Sequence, residues 1–173
     1  MTAPALVFPP ELLLKAQGSG LGMKAAIFDV DGVLTDGRLF IGEHGEVFKA
    51  FHVLDGHGLK LLARAGIEPI VVTGRDSAAV RRRVADQICL ELGLDWPELA
   101  VIGDDWPDLP LLLRAGFACA PPNAHAEVLA VAHHVTAARG GEGAAREFCD
   151  LLLMACGRYA ELFQAHLTTL DGR

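Results

Sequence analysis

The sequence predicts an α/β protein: a doubly wound, mostly parallel sheet of Rossmann-like order with a projecting β-hairpin and no separate cap domain. Three observations carry this expectation. Short apolar runs alternate with helical stretches along the chain, the pattern of parallel strands joined by crossover helices. Ile27-Phe28-Asp29-Val30 is apolar with a β-branched residue at each end, which suits a central strand covered on both faces. Finally, three strand ends carry polar groups: Asp29 with Asp31, then Thr73, then Asp104 with Asp105 and Asp108. Open α/β sheets place their ligand crevices at those carboxyl ends.

Each element follows from local signals. Residues 1–22 read as an N-terminal extension. Pro9-Pro10-Glu11 opens a short helix over Leu12–Gln17, and Gly18-Ser19-Gly20-Leu21-Gly22 makes a joint. The single domain, 23–173, then begins. After the first strand, Asp31-Gly32 makes a turn, with Asp36 just beyond it. Leu39–Ile41 and Val47–Phe51 flank Gly42-Glu43-His44-Gly45, a hairpin with a Gly-containing loop. It sits between the first strand and the first domain helix, so it should project over the crevice. Asp55-Gly56-His57-Gly58 starts a helix over Leu59–Ala65, which Gly66 stops.

Ile67–Thr73 reads as a second buried strand, followed by Gly74 and Arg75, with Asp76 or Ser77 capping a helix over Ala78–Asp86. Arg81, Arg82 and Arg83 read as its solvated face. Gln87–Leu92 continues in helical character to Gly93. Leu99–Ile102 is a third strand, Leu109–Arg114 a helix, Phe117–Ala120 a short strand and Ala124–Ala132 a short helix. Val135 lies on a last strand. A terminal helix spans Ala144–Cys156, with Phe148, Leu151 and Leu152 on one face, and Tyr159–Leu167 extends it.

Composition bounds the function. At 173 residues with 51% hydrophobic content, the chain has enough apolar material for a sizeable core. No apolar run approaches the roughly 20 residues of a membrane helix. There is no cationic start or small-residue cleavage site, so no signal peptide is expected. Cys89, Cys119, Cys149 and Cys156 are widely spaced and fit reduced, mostly buried thiols of a cytoplasmic protein. A net charge of −7 argues against nucleic acid as a partner. A small anionic substrate remains open, because a bound metal reverses the sign locally. The histidines show no ligand spacing for zinc.

Asp29-Val30-Asp31-Gly32 alone reads equally as a tight turn. A calcium loop does not fit, since the remaining loop ligands are missing. The other strand ends shift the balance. Carboxylates converging in one crevice repel each other unless a cation sits among them. A few hard oxygen ligands suit Mg²⁺, which often shares its shell with a phosphate. A carboxylate can attack phosphorus itself, if a neighbouring acid protonates the leaving alcohol and later deprotonates water. Thr73 and backbone N–H groups could hold the phosphoryl oxygens.

The ordered set DVDGVLTDG (Asp29–Gly37), Thr73-Gly74-Arg75 and Gly103-Asp104-Asp105 with Asp108 resembles the haloacid dehalogenase superfamily of phosphatases. The nearer resemblance is to the 3-deoxy-D-manno-octulosonate 8-phosphate phosphatase family. It also covers the hairpin, Asp55–Gly58, and the Gly-rich Gly140–Glu147 segment. The resemblance implies an Mg²⁺-dependent sugar-acid phosphatase of lipopolysaccharide precursor synthesis. Asp29 would be nucleophile and metal ligand. Asp31 would be the general acid/base and bind metal through its backbone carbonyl. Asp104 would be the third protein ligand, with Asp105 and Asp108 supporting. Thr73 and Gly74 would contact phosphate, and Arg75 the sugar acid's carboxylate. Family members are capless homotetramers, which makes Val47, Phe48 and Phe51 candidate interface residues.

One departure stands out. The superfamily carries a Lys between the Thr-Gly-Arg and Gly-Asp-Asp segments, and this interval has none. The only lysines are Lys15, Lys24, Lys49 and Lys60, and none is expected to substitute. The interval is also one strand–helix unit short. Either the chain lacks the unit, or residues are missing near Arg83–Ile88; the intact motifs elsewhere favour the second. The rival functions are a non-catalytic or regulatory oligomerisation module, a phosphatase for a nine-carbon sugar-acid phosphate, and, least, a phospho-accepting receiver domain.

Overall fold

The computed structural model describes residues 5–18, 22–73 and 78–168, with side chains from residue 84 onward in the last stretch. Five parallel strands form the sheet: β1 (Ala25–Asp29), β4 (Glu68–Val72), β5 (Leu99–Ile102), β6 (Phe117–Ala120) and β7 (His134–Val135), in the order β4-β1-β5-β6-β7. The hairpin, β2 (Phe40–Gly42) and β3 (Gly45–Phe48), forms a separate antiparallel pair.

Strand side chains alternate between two faces, and each face has its own core. Ala26, Phe28, Ala100, Ile102, Phe117 and Cys119 face the layer of α1 (Pro10–Ala16), α2 (Val53–Ala65) and α6 (Ala144–Ala155). Phe148 of α6 anchors that side, edge-on to Phe28 at 5.4 Å and stacked on Phe117 at 6.3 Å. Ala25, Ile27, Leu99, Val101, Ala118 and Ala120 face the layer of α3 (Ala78–Leu92), α4 (Leu109–Leu112) and α5 (Ala126–Val131). A last helix, α7 (Tyr159–Thr168), follows α6 after Gly157. Phe8, Ala16 and Met23 join the first core, and Gln17 donates to the Ala155 carbonyl at 2.9 Å. The N-terminal segment is therefore docked on α6.

Several boundaries differ from the sequence expectation, each for a local reason. Helix α2 starts at Val53 rather than Leu59, because His52 caps it: its ring accepts from the Leu54 N–H at 3.3 Å. Asp55–Gly58 thus lies inside the helix. The hairpin ends at Phe48, so Lys49–Phe51 leave the strand. Tyr159 starts a helix of its own, because Gly157 turns the chain with φ +74°. Strand β4 is not buried as expected but lies at the sheet edge, with Val71 48% exposed. The reason is the interval after it. Helix α3 runs from Ala78 through Arg83–Ile88 to Leu92. Among the described residues this interval holds α3 and a short 3-10 turn at Trp96–Glu98, and no strand that pairs with the outer side of β4.

Candidate active site

The parallel register sets the site. Asp29 pairs with Val72 on one side, and Phe28 with Ile102 on the other. Thr73, next after Val72, and Asp104, two residues after Ile102, therefore emerge near Asp29 at the carboxyl edge of the sheet. The chain leaves β1 in a tight turn, closed by the Thr35 N–H on the Val30 carbonyl at 2.9 Å. The buried Thr35 hydroxyl also donates to that carbonyl at 3.2 Å and accepts from the Gly37 N–H at 3.2 Å. Gly32 sits at φ +96°, where side chains are disfavoured, and a Cβ there would overlap the Asp104 carboxylate. The turn and the loop after β5 approach closely only because that atom is absent.

Three carboxylates converge. Asp29, Asp104 and Asp108 each offer an oxygen within 4.8 Å of the others, and Asp29 and Asp108 are buried. Asp108 is fixed by its own loop: its Oδ2 accepts from the N–H groups of Asp104 at 3.0 Å and Asp105 at 3.3 Å. Asp105 points elsewhere, capping the turn at Trp106 through a 2.8 Å bond from that N–H. Three anionic oxygens held this close, two of them on buried residues, repel strongly unless a cation joins them. They fit a hard divalent ion of the Mg²⁺ type.

Asp31 is brought to the same edge, but its carboxylate goes to a different partner. The Lys49 ammonium pairs with it, and Glu46 Oε1 lies 3.8 Å from the same nitrogen. Lys49 was expected not to stand in for the superfamily's Lys, and its partner here is the Asp31 carboxylate. Lys49 follows β3 directly, and the hairpin folds back far enough to deliver it. No spacing rule ties a hairpin residue to a strand end, so sequence reasoning missed it. Asp36 stays outside, in an exposed pair with Arg38 at 3.6 Å. Thr73 is exposed at the end of β4. Gly74 and Arg75 lie outside the described residues, as do Asp76 and Ser77.

Asn123 was also not anticipated. Its Nδ2 donates to the Gly32 carbonyl at 3.0 Å, and its Oδ1 accepts from the Gly140 N–H at 2.8 Å. One side chain thus joins the turn after β1, the segment before α5 and the Gly-rich segment before α6. Its only sequence signal was a polar residue just after the Pro121-Pro122 pair. The hairpin's expected interface residues are exposed: Val47, Phe48 and Phe51 are 65%, 54% and 60% accessible. All four cysteines are free thiols, three of them buried. Among the described residues no helix is long and apolar enough to cross a membrane.

A family model of haloacid dehalogenase-like hydrolases matches residues 82–148. The 3-deoxy-D-manno-octulosonate 8-phosphate phosphatase of Haemophilus influenzae is 40% identical over 154 aligned positions, covering 79% of this chain and 86% of that protein. Since 79% of 173 residues is fewer than 154, the relative carries positions that this chain lacks. The Salmonella typhimurium enzyme of the same name is 34% identical, covering 88% of each chain. Among solved structures, a probable YrbI family phosphatase from Pseudomonas syringae superposes with a TM-score of 0.81 at 40% identity, covering 95% of this chain and all of the other. A Moraxella catarrhalis 3-deoxy-D-manno-octulosonate 8-phosphate phosphatase, solved with magnesium, phosphate and a KDO molecule, gives 0.78 at 34% identity, covering 90% and 98%.

Proposed function

Because the chain belongs to the 3-deoxy-D-manno-octulosonate 8-phosphate phosphatase family of haloacid dehalogenase-like hydrolases, we propose that it releases phosphate from that sugar-acid ester in an Mg²⁺-dependent reaction. The observation that carries this is the convergence of Asp29, Asp104 and Asp108 at the carboxyl ends of β1 and β5. In this reading Asp29 attacks phosphorus and forms an aspartyl-phosphate. Asp31 gives its proton to the leaving sugar oxygen, then takes one from the water that hydrolyses the phosphoenzyme. Asp29, Asp104, Asp108 and the Asp31 carbonyl would hold Mg²⁺, which when bound offsets the charge of two anions meeting. Thr73 and Gly74 hold phosphoryl oxygens, and Arg75 takes the sugar acid's carboxylate through its fork. Asp105 supports the loop by capping it.

The exposed apolar hairpin supports a homotetramer assembled through Val47, Phe48 and Phe51. The four free thiols fit a cytoplasmic enzyme. The test is phosphate release from 3-deoxy-D-manno-octulosonate 8-phosphate and from nine-carbon sugar-acid phosphates, with and without Mg²⁺. The eight-carbon ester should turn over fastest, only with the ion, and Asp29→Ala should abolish turnover. The missing strand–helix unit and its Lys favour a second reading, a non-catalytic oligomerisation module. Tetramers without phosphate release from any of these esters would select it.

A further inference from the structure

The separation of Asp31 from the other carboxylates needs a cause. Asp29 and Asp31 are two residues apart, and five acidic side chains lie near one sheet edge. Yet Asp29, Asp104 and Asp108 form one group, while the Asp31 carboxylate pairs with Lys49. Both partners are partly desolvated: the Lys49 side chain is 20% exposed and that of Asp31 29%. Coulomb attraction there is several times stronger than between fully hydrated groups. Lys49 brings a cationic side chain to Asp31 from outside the sheet. Glu46, three residues earlier on β3, places its Oε1 3.8 Å from the same ammonium.

We propose that Lys49 is the positioning residue for Asp31. Its ammonium, delivered by the hairpin, keeps the acid/base carboxylate away from the Asp29–Asp104–Asp108 group, so that one set of oxygens is left for the ion and Asp31 for the leaving group. This rests on the phosphatase reading above. Without Lys49, the Asp31 carboxylate is released toward the divalent ion as an extra ligand. Two consequences follow together: slower turnover and tighter ion binding. A lysine that merely glued the hairpin down would not produce the second.

The experiment compares wild type, Lys49→Met, Lys49→Arg, Asp31→Asn and the Lys49→Met/Asp31→Asn double variant. Turnover of 3-deoxy-D-manno-octulosonate 8-phosphate is measured, together with Mg²⁺ affinity by calorimetry without substrate. Removing a side chain that orients a site group typically costs about 10–100-fold. Lys49→Met should lower kcat by about that factor, with KM changed less than about threefold, and tighten Mg²⁺ binding about three- to tenfold. Lys49→Arg should restore most of the turnover and the wild-type Mg²⁺ affinity. In the Asp31→Asn background, Lys49→Met should change kcat no further, because coupled residues are not additive. A Lys49→Met enzyme with wild-type kcat, a loss confined to KM, unchanged Mg²⁺ affinity, or Lys49→Arg no better than Lys49→Met would each overturn the proposal. Wild type that releases no phosphate would instead sink the phosphatase reading, while the Mg²⁺ titrations would still report whether Lys49 guards the ion site.

Discussion

Gly140→Ala is expected to disturb the turn after β1 from more than 100 residues away. Gly140 is buried, and its amide is held by Asn123. A Cβ at this position would overlap the Gly32 carbonyl oxygen, reach within 2.5 Å of the Gly32 carbonyl carbon, and lie 3.1 Å from the Thr35 carbonyl. Ordinary contact begins near 3.4 Å. One backbone must therefore retreat by more than about 1 Å. Overpacking costs about 1–3 kcal/mol, and a backbone-on-backbone collision belongs at the upper end. The retreat also stretches both Asn123 bonds, each contributing about 1 kcal/mol. A total near 4 kcal/mol is a large share of the ~5–15 kcal/mol that holds a domain together. It corresponds to a midpoint lowered by roughly 8–16 °C. Because Gly32 follows Asp31, a displacement of about 1 Å there also predicts a turnover loss near 100-fold. The assay is a thermal melt by circular dichroism, paired with steady-state phosphate release below the midpoint. Gly66→Ala is the comparison: φ +83° with nothing within 4 Å of the added atom, so it carries strain alone, about 1–2 kcal/mol, and no kinetic effect. A Gly140→Ala protein that melts within about 2 °C of wild type and turns over normally would refute the close approach of Gly32 and Gly140.

Two further substitutions test α2. Gly56 is exposed, lies inside the helix, and its added Cβ would meet nothing, so Gly56→Ala should raise the midpoint by the helix-propensity gain of about 0.5–1 kcal/mol. Gly58→Ala has the same propensity gain but would press on Cys149 Sγ at 3.0 Å and Arg146 Cδ at 3.1 Å, so thermal melts should show no gain or a loss. Glu147→Gln tests a charge. Burial alone would raise the Glu147 carboxyl, but hydrogen bonds from His134 and from the Ala138 and Ala137 amides outweigh it and hold the group below its ordinary value of 4.5. The native state thus binds fewer protons than the unfolded chain, so the stabilisation is present above pH 4.5 and is lost as pH falls through the folded value. Melts at pH 7 should place Glu147→Gln about 1–2 kcal/mol below wild type. The gap should close as the pH drops below 4.5; a gap independent of pH would contradict the assignment.

What the sequence revealed and what it hid divide along a physical line. Asp29 and Asp104 could be placed because a parallel strand fixes where its last residue points, and two apolar runs with acidic ends need only lie side by side to bring those ends together. The strands Leu99–Ile102 and Phe117–Ala120 were bounded to the residue, because apolar runs stop abruptly at Gly103 and Pro121. Lys49 and Asn123 were not legible, because both act across elements whose mutual placement no local pattern encodes. Lys49 reaches Asp31 only through the fold-back of the hairpin, and Asn123 meets Gly32 and Gly140 only after three loops have met above the sheet.

The interval between β4 and β5 shows how one omission links the fold to the chemistry. Among the described residues only α3 and a short 3-10 turn lie between β4 and β5, β4 stays at the edge with Val71 exposed, and the sequence from Arg75 to Gly103 carries no lysine. The Asp31 carboxylate takes its cation from the hairpin, whose apolar face is bare in the lone chain. A hairpin of two short strands is barely stable by itself, and here Phe40 stacked on Phe48 at 4.3 Å is its main internal contact. If the hairpin is the assembly surface, dilution to monomers should cost turnover through Lys49, because Asp31 would lose its partner before the rest of the fold is touched.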